Sequence, residues 1–106
     1  MDYEALPPER ERGIEAQEVV ATLALKLGEE GYSNRTEIVD ATEFHVVTVV
    51  GTGEMTVRIR SLPTRRLGPT LRLPRCVTEV VFNDVAGDEQ ERLVHLIDAA
   101  LLRGGG

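Results

Sequence analysis

Between Ile14 and Leu27 the apolar residues fall at Ile14, Ala16, Val19, Val20, Leu23, Ala24 and Leu27. That is the i, i+3, i+4 spacing of a helix with one buried stripe. Glu15, Glu18, Thr22, Lys26, Glu29 and Glu30 take mainly the other face and Gly31 supplies a C-cap, so the spacing predicts a helix over 10–30. Toward the other end, Asp88 with Glu91 three residues later resembles a capping box and opens a second helix over about 88–103. Its stripe is Leu93, Val94, Leu96, Ile97, Ala100 and Leu101. Residues 1–8, ending in Pro7-Pro8, read as a flexible arm, and 104–106 as a frayed glycine tail.

Between the helices the period changes to two. Thr36–Asp40 is long enough for a short strand, and Glu43–Val50 (EFHVVTVV) is rich in β-branched residues. Gly51-Thr52-Gly53 signals a hairpin, after which Glu54–Ser61 alternates cleanly. A two-residue loop at Thr52-Gly53 opposes Val50 to Met55, Thr48 to Val57 and Val46 to Ile59, so that Phe44, Val46, Val50, Met55, Val57 and Ile59 share one side. A slip of one residue would set Phe44 and Val46 against Arg60 and Arg58. Burying unpaired charge costs on the order of several kcal/mol, so that register is excluded. Leu62–Pro69 reads as a loop carrying Arg65-Arg66, Thr70–Leu73 as a short edge strand ahead of Pro74, and Arg75–Phe82 as a strand with Cys76, Val80 and Phe82 on one face. The order α-β-β-β-(β)-β-α describes one α+β domain spanning 1–106. It is a two-layer sandwich, with both helices on one face of a mostly antiparallel sheet.

Alternation then sends Glu43, His45, Val47, Val49, Thr56, Arg58, Arg60, Arg72, Arg75, Val77, Glu79 and Val81 to the open face. Valines ringed by arginine suggest an interface. In one reading the face forms a homodimer, with Val47, Val49, Val77 and Val81 at its centre and the arginines meeting the partner's acids. In the other, Arg58, Arg60, Arg72 and Arg75 hold an anion, either nucleic-acid phosphate or an acidic peptide, since the guanidinium fits phosphate and carboxylate alike. The plainer alternative is β-branched residues placed by propensity and arginines left in solvent.

Composition sharpens the arginine signal. The chain carries −6 overall, yet Met55–Thr78 holds six arginines and no acid, which leaves −12 on the remainder. Eleven arginines stand beside one lysine, Lys26, and eighteen acids. That texture resembles the small acidic proteins of halophilic archaea, in which acidity keeps the chain hydrated in salt; the resemblance implies no site residues. In such a setting simple charge attraction is screened within about 3 Å at 1 M salt. The helix–sheet–helix order is also similar to that of small acidic homodimers such as nucleoid-associated proteins and secretion chaperones, a likeness of fold only.

Candidate chemistry is sparse. His45 and His95 are the only histidines; Asp40, Glu43 and His45 gather three possible ligands near a strand start, in no metal-binding motif. His45, near Arg58 and Arg60, is the single candidate for a small phosphohydrolase, and His95 falls on the solvent side of the second helix. Cys76 reads as a small buried hydrophobe, and one cysteine allows no internal disulfide. Gly51-Thr52-Gly53 lacks the third glycine of a dinucleotide loop. No cofactor or metal is expected. No apolar run reaches the roughly 18 residues of a membrane span, and the polar, acidic N-terminus is unlike a signal peptide, so the expected place is the cytoplasm. The sequence therefore predicts a non-enzymatic interaction module, homodimeric through the open sheet face, with anion binding as the second reading.

Overall fold

Two helices lie on one face of a five-stranded antiparallel sheet, in a computed structural model that describes the backbone of residues 9–105 and side chains as far as Leu102. The elements are β1 (Glu9–Arg12), α1 (Ala16–Glu29), β2 (Asn34–Ile38), β3 (Glu43–Val50), β4 (Gly53–Arg66), β5 (Arg72–Asn83) and α2 (Gly87–Gly105). Across the sheet the order is β1-β5-β4-β3-β2, so α1 carries the chain from one edge to the other. Val19, Leu23 and Leu27 of α1 and Leu93, Ile97 and Leu101 of α2 close over Val46, Met55, Val57 and Ile59 of the sheet. This is the two-layer α+β arrangement that the two periodicities require. The expected N-terminal arm, residues 1–8, lies outside the described residues. Among those that are described, no helix is long and apolar enough to cross a membrane.

The first helix starts six residues later than its spacing suggests. Glu9–Arg12 (ERER) is instead a strand paired with β5, Arg12 opposite Cys76 and Arg10 opposite Thr78. Its alternation is one of charge. Arg10 and Arg12 reach Asp98 of α2 at 2.8 and 2.9 Å, and Arg12 Nε donates to the hydroxyl of Thr78 at 3.0 Å. Glu9 and Glu11 turn to the other face, 3.8 Å from Arg60 and 3.2 Å from Arg75. A strand held by ion pairs on both faces leaves no hydrophobic period to read.

The β3–β4 turn is Gly51-Thr52, not Thr52-Gly53. Val50 therefore faces Gly53, Thr48 faces Met55 and Val46 faces Val57. The ladder has moved by two residues, and a shift of two leaves every side chain on its expected face. Gly51 has φ +60, a left-handed value that a tight hairpin needs. Gly53 is required for a different reason: a Cβ there would overlap the carbonyl oxygens of Asn83 and Asp84. Asp84, itself at φ 62, turns the chain from β5 toward α2 and accepts a hydrogen bond from Thr52 Oγ1 at 3.2 Å.

The loop expected over Leu62–Pro69 and the separate strand at Thr70–Leu73 are the two sides of one long hairpin, since β4 continues to Arg66 and β5 begins at Arg72. A bulge between Leu62 and Arg65 sets Pro63 and Thr64 against Pro74, a place where neither proline has to donate to the ladder. At the C-terminus α2 continues through Gly104 and Gly105, which glycine composition alone would leave frayed.

Two substitutions test this packing by denaturant unfolding. Gly53→Ala forces backbone apart and should cost about 2–3 kcal/mol, whereas Gly51→Ala meets open space and should cost about 1 kcal/mol through its left-handed φ. Thr48 is fully buried with no partner for its hydroxyl among the described residues. Thr48→Val should accordingly raise stability by about 1 kcal/mol.

Candidate interaction surface

The register places the open-face residues in rungs across the sheet. One runs Glu9, Glu79, Arg58, His45 and Glu37 from β1 to β2; the next runs Glu11, Val77, Arg60 and Glu43. Positive and negative side chains thus meet along and between rungs. Arg58 lies 3.3 Å from Glu79, Arg60 3.8 Å from Glu9, Arg75 3.2 Å from Glu11 and Arg35 3.0 Å from Glu37. Three of the four arginines expected to bind an outside partner, Arg58, Arg60 and Arg75, are met by glutamates of the same chain. The missing half of the pattern was β1, whose glutamates the helical reading placed elsewhere.

The valines are less open than alternation implies. Val47 is 4% exposed and Val77 is half-buried, while Val49 and Val81, at 45% and 37%, are open but separated by β4. His45 is half-buried with Nε2 2.8 Å from Glu43 Oε2. Asp40 does not join them. Its carboxylate closes the β2–β3 turn, accepting the Thr42 N–H at 2.8 Å, the Thr42 hydroxyl at 3.0 Å and the Glu43 N–H at 3.0 Å. Those bonds, the Thr42 N–H foremost, hold the Asp40 carboxyl below the usual carboxylate range. Among the described residues no group of three or more histidine, cysteine or acidic side chains is arranged to hold a metal. Burial pushes the Cys76 thiol up, as befits a core side chain.

Past Ser61, whose N–H donates to the Thr42 carbonyl at 2.7 Å, β4 has no β3 beside it; past Cys76, β5 has no β1. Leu62–Arg75 therefore projects as a two-stranded arm beyond the rest of the sheet. Arg72 belongs here. It lies opposite Arg66, and alternation along β5 puts it on the other side of the strand from Arg75, away from the face it was expected to share. Of the ten arginines with described side chains, seven have a carboxylate within ion-pair distance. The other three are Arg65, Arg66 and Arg72, all exposed and all on the arm. Leu67, Leu71 and Leu73 beside them are 46%, 51% and 40% exposed.

Two clefts among the described residues flank the body. One, of about 230 Å³, lies at the base of the arm against the first turn of α1 and includes Phe44, Leu62, Pro74 and Arg75. The other, of about 330 Å³, is between the end of α1 and α2, beside Tyr32, Arg92 and His95. Neither includes His45. At the second, the Tyr32 hydroxyl donates to Glu89 at 2.7 Å and Arg92 lies 3.0 Å from the same carboxylate. The Tyr32 bond first, and Arg92 after it, hold Glu89 below its ordinary range. No protein-family model matches the chain, and no curated protein matches it as a relative.

Because the folded-state pKa of Glu89 is depressed, its contribution is present above the unfolded value, about 4.3, and is lost as pH falls through the folded value. Tyr32→Phe removes the leading cause. Unfolding curves of wild type and Tyr32→Phe should differ at pH 7 and converge as pH falls through the depressed folded-state value of Glu89; a gap that stays constant from pH 7 down through the acid range would show that Glu89 is not the group involved.

Proposed function

We propose that the protein is a non-enzymatic binding module that holds an acidic protein partner on the β4–β5 arm. The observation that carries this reading is the distribution of arginine partners among the described residues: the body's arginines are matched to glutamate or aspartate, and the arm's three are not. Arg66 and Arg72 also sit directly opposite one another, an arrangement that destabilises a ladder by a few tenths of a kcal/mol to about 1 kcal/mol. An arriving carboxylate relieves that repulsion. The interleaved leucines favour a protein over nucleic acid, because they offer apolar area that a phosphate backbone does not use.

The arm separates function from stability in a measurable way. Arg72→Glu replaces a like-charged pair by an opposite one, so it should leave the melting temperature unchanged or higher. It should also weaken binding of a labelled acidic peptide with alternating Glu and Leu by about tenfold or more. Arg58→Ala, on the self-neutralised face, should leave binding as it was. A duplex DNA probe distinguishes the anion reading. Tight binding of DNA, with a steep salt dependence abolished by Arg72→Glu, would replace the protein partner by nucleic acid.

The homodimer through the open face rests on narrower ground. Its exposed apolar part is Val49 and Val81, and its arginines already have glutamates. Catalysis by His45 has the Glu43 contact and the opposed Arg58 in its favour, but His45 lines neither cleft, and Arg58 is met by Glu79.

A further inference from the structure

The two edges of the sheet differ in what they would do on meeting a copy of themselves. In β2 the N–H and C=O groups of alternate residues bond to β3. The Val49 N–H donates to the Ser33 carbonyl at 2.9 Å and the Val39 N–H to the Glu43 carbonyl at 3.0 Å, which assigns the odd-numbered residues to that ladder. Asn34, Thr36 and Ile38 therefore aim their backbone groups outward along the edge, where no strand among the described residues pairs with them.

We propose that β2 pairs antiparallel with β2 of a second copy about a two-fold axis at Thr36, joining two five-stranded sheets into one. This register satisfies two independent conditions. It sets Thr36 against Thr36 and Asn34 against Ile38, and these are the residues whose backbone groups point outward, so about six inter-chain hydrogen bonds form. It also sets Arg35 of each copy against Glu37 of the other. Those two fall in the non-hydrogen-bonded pairs, where side chains come closest, and on the open face, where both already lie. Moving the axis to Asn34 or Ile38 shortens the ladder and sets Arg35 against Ser33 or Glu37 against Val39.

The other edge refuses the same match. Antiparallel self-pairing of β1 that keeps each side chain on its own face sets either Glu9 against Glu11 with Arg10 against Arg10, or Arg10 against Arg12 with Glu11 against Glu11, like charge on like in both registers. One self-complementary edge and one self-repelling edge give a closed two-fold dimer rather than a chain of sheets. Above β2 the overhanging flank of α1 is small. The Asn34 side chain donates to the Ala24 carbonyl at 3.3 Å, and by helical spacing Gln17, Ala21 and Gly28 share that side with exposed Leu25 at its margin, so a second α1 meets no charged side chain there. Ile38, 74% exposed, gains a neighbouring strand. The two arms then project from opposite ends of the joined sheet, which presents the arm twice.

Sedimentation across a concentration series, with circular dichroism to check folding, tests the pairing. Wild type should be dimeric. Thr36→Pro removes an outward N–H but no bond to β3, and should give a folded monomer. Arg35→Glu should weaken the dimer about tenfold, and Arg35→Glu with Glu37→Arg should restore it, because the exchange rebuilds both opposite-charge pairs. If Thr36→Pro unfolds, the charge exchange decides alone. A wild-type monomer at every concentration, an Arg35→Glu dimer as tight as wild type, or failure of the double exchange to recover the dimer each overturns the proposal.

Discussion

The long antiparallel ladder between β4 and β5 is the constraint from which the rest of the molecule follows. It runs from Glu54 opposite Asn83 to Arg66 opposite Arg72, and it is three structures in succession. In its first part Met55, Val57 and Ile59 face Phe82, Val80 and Thr78 beneath the helices and make the centre of the core. The reverse side of those same residues is the charged open face. Beyond Ser61 the ladder outlasts its neighbours and becomes the arm. No separate element had to be added to make a projecting, acid-free surface; two strands were simply longer than the sheet around them.

Charge is distributed according to the same ladder. On the body, arginine and glutamate occupy neighbouring rungs, and exposed pairs of this kind are each worth at most about 1 kcal/mol. Their larger consequence is that they leave little net field for an outside anion. On the arm the pattern stops. Arg66 opposes Arg72, Arg65 opposes Leu73, and no acid lies nearby in sequence. A fold that, among its described residues, matches seven arginines and leaves three unmatched in one place has its binding potential concentrated there. Edge chemistry works in the same way: β1 has its charges committed to Asp98, Arg60 and Arg75, whereas β2's Arg35 and Glu37, which pair with each other, are placed symmetrically about Thr36.

Much of this could be read directly from the order of residues. The stripes of Val19, Leu23, Leu27 and of Leu93, Ile97, Leu101 fixed both helices, and the alternation of Met55, Val57 and Ile59 fixed which side of the sheet is buried, even though the hairpin register is offset by two residues. A period of two forgives an even shift. The strand β1 was invisible because its regularity is electrostatic: ERER ahead of a helical stripe looks like the first turn of that helix until Asp98, 86 residues beyond Arg12, is beside it. Arg72 was misplaced for a related reason. Treating Thr70–Leu73 as a strand of its own hid the unbroken alternation that separates Arg72 from Arg75.

What the chain determined by itself is local and periodic: two amphipathic helices, the buried face of each strand, and an acid-free arginine run in an acidic protein. What only the tertiary structure decided is which charges meet. Whether an arginine is free or neutralised depends on residues that are distant along the chain and adjacent across a ladder, and no spacing rule records that. The arginine-rich stretch accordingly divides into a neutralised part, Arg58, Arg60 and Arg75, and an unmatched part, Arg65, Arg66 and Arg72. The division falls where β1 and β3 end.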